Sequence, residues 1–103
     1  MTPAKLKTII KNLPKKPGVY FFKNRMGQIL YIGKAINLRR RVRSYFKISD
    51  GDNSPQPPLS AGRRIKRKGN IADIDWIETK DENQAFLLEN ELIKKYRPRY
   101  NIQ

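Results

Sequence analysis

Two short runs of β-branched and aromatic residues, Val19-Tyr20-Phe21-Phe22-Lys23 and Gln28-Ile29-Leu30-Tyr31-Ile32, flank Asn24-Arg25-Met26-Gly27. Strand-forming runs separated by a turn that ends in glycine predict a β-hairpin over 19–32. In a chain of 103 residues, which can bury one modest core and no more, that hairpin dictates the rest. Every other segment has to pack on it or extend its sheet.

The remaining segments divide accordingly. Residues 3–12 read as a short helix with Leu6, Ile9 and Ile10 on one side, ended by Pro14 and Pro17-Gly18. Gly33-Lys34-Ala35 is the expected exit from the hairpin, and Asn37 is placed to cap a helix over 38–47. Ile48 to Pro58 has loop composition, and Leu59 to Lys68 is expected to form a short basic helix. Asp73 to Thr79 reads as a third strand, Ile74 and Trp76 alternating with Asp73 and Asp75. The longest helix is expected over Glu82 to Tyr96, stopped by Arg97-Pro98. No internal repeat is visible. The order αββααβα implies one α+β domain over 1–103, built on a small antiparallel sheet.

Composition narrows the chemistry. The chain carries 23 Lys and Arg against 9 Asp and Glu, a formal net charge of +14. Such a charge attracts polyanions, with nucleic acid the first candidate and an anionic membrane surface the second. No apolar run approaches the ~20 residues that span a bilayer, and Met1 to Leu13 lacks the features of a signal peptide. A cytoplasmic protein is therefore expected. There is no cysteine and no histidine. That excludes disulfides, thiolate nucleophiles, zinc sites of either ligand type, Ser-His-Asp catalysis and any imidazole base. An enzyme made from this chain must use tyrosine, lysine or carboxylate groups tuned by positive charge or a metal.

Three constellations offer such groups. On the last helix Ala85, Phe86, Leu88, Leu92, Ile93 and Tyr96 form one broad apolar stripe, and Glu89 lies inside it. A carboxylate so placed needs a cation, either an Arg or Lys partner or a metal ion, and a lone carboxylate that leaves most sites to water suits Mg²⁺. On the helix from 38, Leu38, Val42, Tyr45 and Phe46 face inward, whereas Arg39, Arg40 and Arg43 project to solvent, where they could bind DNA phosphates. Arg41 lies on the flank beside Tyr45, where its planar fork could hold a scissile phosphate. In the hairpin, Tyr20 and Tyr31 are on neighbouring strands. Packing is the commoner role for such a pair. Lys34 would favour the phenolate, and Gly33 would leave room for a phosphate to approach the backbone.

Taken in order, these blocks resemble a known pattern. Gly18-Val19-Tyr20 with Tyr31-Ile32-Gly33-Lys34-Ala35 resembles the signature of the GIY-YIG nuclease family, with Val in place of the first Ile. Asn37 to Phe46 resembles its arginine motif, Ala85 to Glu89 its glutamate motif, and Leu92 to Asn101 its asparagine motif. The closest branch is the one that cuts on the 3′ side of lesions in bacterial nucleotide-excision repair. The resemblance implies a three-stranded antiparallel sheet flanked by helices and one divalent cation, Mg²⁺ or Mn²⁺, on Glu89. Arg41 would stabilise the phosphate, and Tyr20 or Tyr31 would activate water, with Lys34 nearby and Tyr45 and Asn101 completing the site. It further implies a monomer acting on DNA with a damage-loading partner, and a chain excised from a longer protein. The stretch from Ile48 to Gly69 matches no motif. Two rivals stand beside this reading: a stand-alone nuclease of the same fold, and a basic module that clamps nucleic acid without cutting it. Glu89 separates nuclease from clamp, because a clamp has no use for an inward carboxylate.

Overall fold

A computed structural model describes residues 3–46 and 71–101. In chain order these form α1 (Pro3–Asn12), β1 (Gly18–Lys23), β2 (Ile29–Ala35), α2 (Leu38–Phe46), β3 (Asp73–Glu78) and α3 (Glu82–Tyr96). The strands make one antiparallel sheet in the order β2-β1-β3. The α+β architecture with a three-stranded sheet is as expected. The expected loop over 48–58 and basic helix over 59–68 fall outside the described residues. No helix among the described residues is long and apolar enough to cross a membrane.

Local chemistry accounts for the boundaries. In the β1–β2 turn, the Asn24 side-chain oxygen accepts from the backbone N–H of Met26 and Gln28, at 2.9 and 3.0 Å. Gly27 supplies the positive φ of 79° that the reversal requires. Asn37 caps α2 as anticipated, its Oδ1 accepting from the Arg40 backbone N–H at 3.0 Å. Asp81 does the same for α3, accepting from Gln84 N–H at 2.8 Å. Arg97 ends α3 in the left-handed region, its N–H donating to Ile93 O at 2.8 Å, before a buried Pro98.

The sheet is buried from both faces. One side carries Tyr20, Phe22, Ala35 and Ile74, packed with Ile10 and Leu13 at the end of α1 and with Leu38, Val42 and Tyr45 of α2. The other side carries Val19, Phe21 and Ile32 under Ala85, Leu88, Leu92 and Ile93 of α3. Two expectations need correction. β2 continues through Gly33, Lys34 and Ala35, which pair with Tyr20, Val19 and Gly18, so these residues are strand rather than exit. Phe86 and Tyr96 are exposed rather than part of the buried stripe of α3.

Candidate active site

Register assembles the tyrosines. Tyr20 pairs across the strands with Gly33, and Phe22 with Tyr31, so Tyr20 and Tyr31 share the face on which α2 lays Tyr45. The three rings form a triangle, with centroids 5.9 Å (Tyr20–Tyr45), 6.1 Å (Tyr20–Tyr31) and 6.3 Å (Tyr31–Tyr45) apart. The Tyr20 hydroxyl, wholly buried, donates to the Tyr45 hydroxyl at 3.0 Å. Burial pushes the Tyr20 phenol well above its ordinary range, and the neighbouring phenols Tyr45 and Tyr31 push the same way. Tyr31 is half-buried. Burial raises it too, followed by Tyr45 and the charge of Glu89, while Arg41 draws it down. Both phenols therefore hold their protons at neutral pH.

Arg41 leans into this cluster, its guanidinium carbon 5.8 Å from the Tyr45 ring centroid. Burial works against its charge, but contact with Tyr20, then with Tyr45 and Tyr31, outweighs burial and keeps the group protonated. Its Nε is buried and has no hydrogen-bond partner among the described residues. Buried donors are seldom left unpaired, so Arg41 is a charged group with hydrogen-bonding capacity that its protein neighbours leave unused.

Glu89 stands on α3, half-buried, close enough to Tyr31 to act on it electrostatically. Among the described residues it has neither a hydrogen bond nor an ion pair to its carboxylate, so no arginine neutralises it there. Nor does any group of three or more metal-ligating His, Cys, Asp or Glu side chains occur among them. A single available carboxylate fits a cation that keeps most of its water, which is the habit of Mg²⁺. Asn101 closes the outer edge of β2. Its Oδ1 accepts from Ile32 N–H and its Nδ2 donates to Ile32 O, both at 2.8 Å. It thereby holds the strand segment that bears Tyr31 rather than reaching the cluster itself.

Four sequence expectations change. Lys34 does not accompany the tyrosines: three residues beyond Tyr31 on a continuous strand, it faces α3. There it pairs with Glu82 at 3.3 Å and lies 5.7 Å from the Phe86 ring centroid. Gly33 does not leave backbone open to a phosphate, because a side chain there would collide with the Tyr20 ring and hydroxyl. Its glycine makes room for Tyr20. Arg39 is not a solvent-facing arginine: its Nε donates to Leu13 O at 2.8 Å and its terminal nitrogen to Lys11 O at 2.9 Å, tying the end of α1 to α2. Arg43 is half-buried, and of the three only Arg40 is exposed. Sequence reasoning also missed Glu82 and Phe86 as the partners of Lys34. The spacing of Glu82, Phe86 and Glu89, one helical flank at i, i+4 and i+7, was the available signal.

Known proteins resemble this chain in sequence and in fold. A family model described as a UvrC-like GIY-YIG domain matches residues 16–102. The chain is 48% identical over 93 residues to UvrABC system protein C of Chlorobium phaeobacteroides, covering 90% of this chain and 14% of that protein. It is 48% identical over 101 residues to the Bacteroides fragilis protein of the same name, covering 98% of this chain and 15% of that one. The chain thus spans a small part of the length of these relatives. The GIY-YIG N-terminal endonuclease domain of UvrC from Thermotoga maritima, solved with magnesium as its catalytic divalent cation, is 39% identical with a TM-score of 0.76, covering 99% of this chain and 100% of that one. A tyrosine-to-phenylalanine mutant of that domain, also bound to its cation, matches with 38% identity and the same TM-score of 0.76, covering 100% of both chains. The chain belongs to the UvrC-like GIY-YIG domain family.

Proposed function

We propose that the chain is a divalent-metal-dependent DNA endonuclease domain that hydrolyses a phosphodiester on the 3′ side of a lesion in bacterial nucleotide-excision repair. The observation that carries this reading is the buried, charged and unpaired Nε of Arg41 beside the tyrosine triangle. A phosphate is the anion that a basic nuclease domain would bring to it. Arg41 orients the scissile phosphate and offsets the charge that grows on it as water attacks in line. Tyr31 accepts the proton of that water at its phenol oxygen while passing its own phenolic proton to solvent, so the ring stays neutral throughout. It is the half-exposed phenol and lies beside Glu89, whereas Tyr20 is sealed in the core and fixes Tyr45 through its hydroxyl. Glu89 would hold one Mg²⁺ or Mn²⁺, whose chemistry when bound is Lewis-acid stabilisation of the leaving oxygen. Asn101 keeps β2 in register beside Tyr31, and Lys34 together with exposed Arg40 meets the DNA backbone. In the cell the domain would work in the cytoplasm, as a monomer, in a longer protein that a UvrB-type partner loads at damage.

The test is single-turnover nicking of duplex DNA with Mg²⁺ or Mn²⁺ by the chain and by its Glu89→Gln variant. Loss of at least ~10³-fold in rate, equal to about 4 kcal/mol of transition-state stabilisation, is expected with an unchanged thermal melt. DNA binding without cleavage by either protein would favour a clamp and overturn the nuclease reading.

A further inference from the structure

Phe86 is misplaced for a core residue. It lies on α3 three residues before Glu89 and is 48% exposed. Residues three apart on an α-helix are surface neighbours, so the ring and the carboxylate share a flank. Lys34 reaches that flank from β2, its ammonium 5.7 Å from the ring centroid and 3.3 Å from Glu82 Oε1. Both contacts are of the exposed kind, which competing ligands readily displace. The rim of the site therefore offers an exposed aromatic ring with a lysine ammonium near it, in a chain of net charge +14. A flat apolar group covalently attached to a phosphate satisfies both at once, and in a DNA strand that group is a nucleobase.

We propose that Phe86 is a stacking platform for an unpaired nucleobase next to the scissile phosphate, with Lys34 leaving the ring and Glu82 to contact the adjoining phosphate. The inference rests on the endonuclease reading for its ligand, but it concerns how the strand is held rather than how the bond is cut. An aromatic platform accepts any base, because each has a π-face, and it confers a preference for DNA whose bases are already out of the stack. Distorted DNA would then be favoured at the site itself, not solely through loading by a partner.

The experiment measures equilibrium binding of the chain in chelator, so that nothing is cut. It compares fully paired duplex with the same duplex carrying an unpaired bulge, over a range of salt. Phe86→Ala should weaken binding to the bulged DNA by roughly 5- to 100-fold, leave the paired duplex unaffected, and not alter the salt slope. Phe86→Tyr should restore affinity and Phe86→Leu should not. Lys34→Gln should lower the salt slope by about one, as expected for a lost phosphate contact. Equal affinity of wild type and Phe86→Ala for bulged DNA would overturn the proposal, as would full restoration by Phe86→Leu. Nicking by the wild-type chain, measured separately with Mg²⁺, keeps the two readings apart. Aromatic-dependent binding without nicking would sink the nuclease while supporting the platform, and nicking indifferent to Phe86 on bulged DNA would do the reverse.

Discussion

The two faces of the sheet are packed to different standards. On the face covered by α1 and α2, Tyr20, Phe22, Leu38 and Val42 have no exposure, and Tyr20, Phe22, Tyr31, Tyr45 and Phe46 form a continuous array of ring contacts. On the face covered by α3, Ala85 is the one residue of that helix classed as buried, and Phe86 and Leu87 stand exposed. The contrast separates two duties. Tyr20 and Tyr45 belong to the core and Tyr31 packs against them, so the geometry of the triangle is fixed by the contacts that hold the domain together. The carboxylate and the exposed ring stand on a helix whose outer flank contributes little to stability. Preorganisation is invested in the first face, and ligand exchange is left to the second.

The hardest blow to this contrast would be a tyrosine that can be removed without cost. Tyr20→Ala should destabilise the domain by about 3–5 kcal/mol, the range for truncating a buried aromatic, while Glu89→Gln leaves the melt unchanged. Chemical denaturation of both variants decides it, and equal stabilities would abolish the distinction. Arg41→Ala tests the boundary between the faces, since its guanidinium enters the core side while serving the ligand. Its single-turnover rate should fall by ~10²–10³-fold at saturating protein with little loss of DNA affinity. Arg41→Lys should recover only part, because an ammonium cannot make the forked contact. A loss explained wholly by weaker binding would return Arg41 to the DNA-binding surface.

The smallest effect expected is on pH. Tyr20 is held above its ordinary value of 10.0 in the folded chain, chiefly by burial. A raised folded value means that the native state binds the proton more tightly than the unfolded chain does. The resulting stability is complete below pH 10.0 and is lost as pH rises above it, towards the folded value. Tyr20→Phe removes that titration, so the gap between wild-type and variant stability should be constant below this point and shift in favour of the variant above it. A gap that stays flat into strong alkali would show that the phenol ionises in place without penalty.

Much of this was legible in the residues. The hairpin, the Asn37 cap, the third strand and the limits of α3 follow from local composition, because turns, caps and proline stops act over a few residues. Glu89 was identifiable because a carboxylate inside a helical apolar stripe conflicts with its surroundings unless a cation resolves it. The absence of histidine and cysteine confined any catalysis to tyrosine, lysine and carboxylate groups. What tertiary structure alone decided is how those groups are distributed in space. Three more residues of strand turned Lys34 away from Tyr31 towards α3, since side chains alternate and strand length is set by the pairing partner. Gly33 became the seat of the Tyr20 ring through a register fixed across the sheet. Arg39 was drawn from solvent by two carbonyls at the end of α1, and Asn101 was drawn to the edge of β2 by the backbone of Ile32. Each of these depends on a partner 26 to 69 positions away in the chain, or on a pairing across the sheet. Periodicity reports only which face of its own element a residue occupies; packing decides what that face meets.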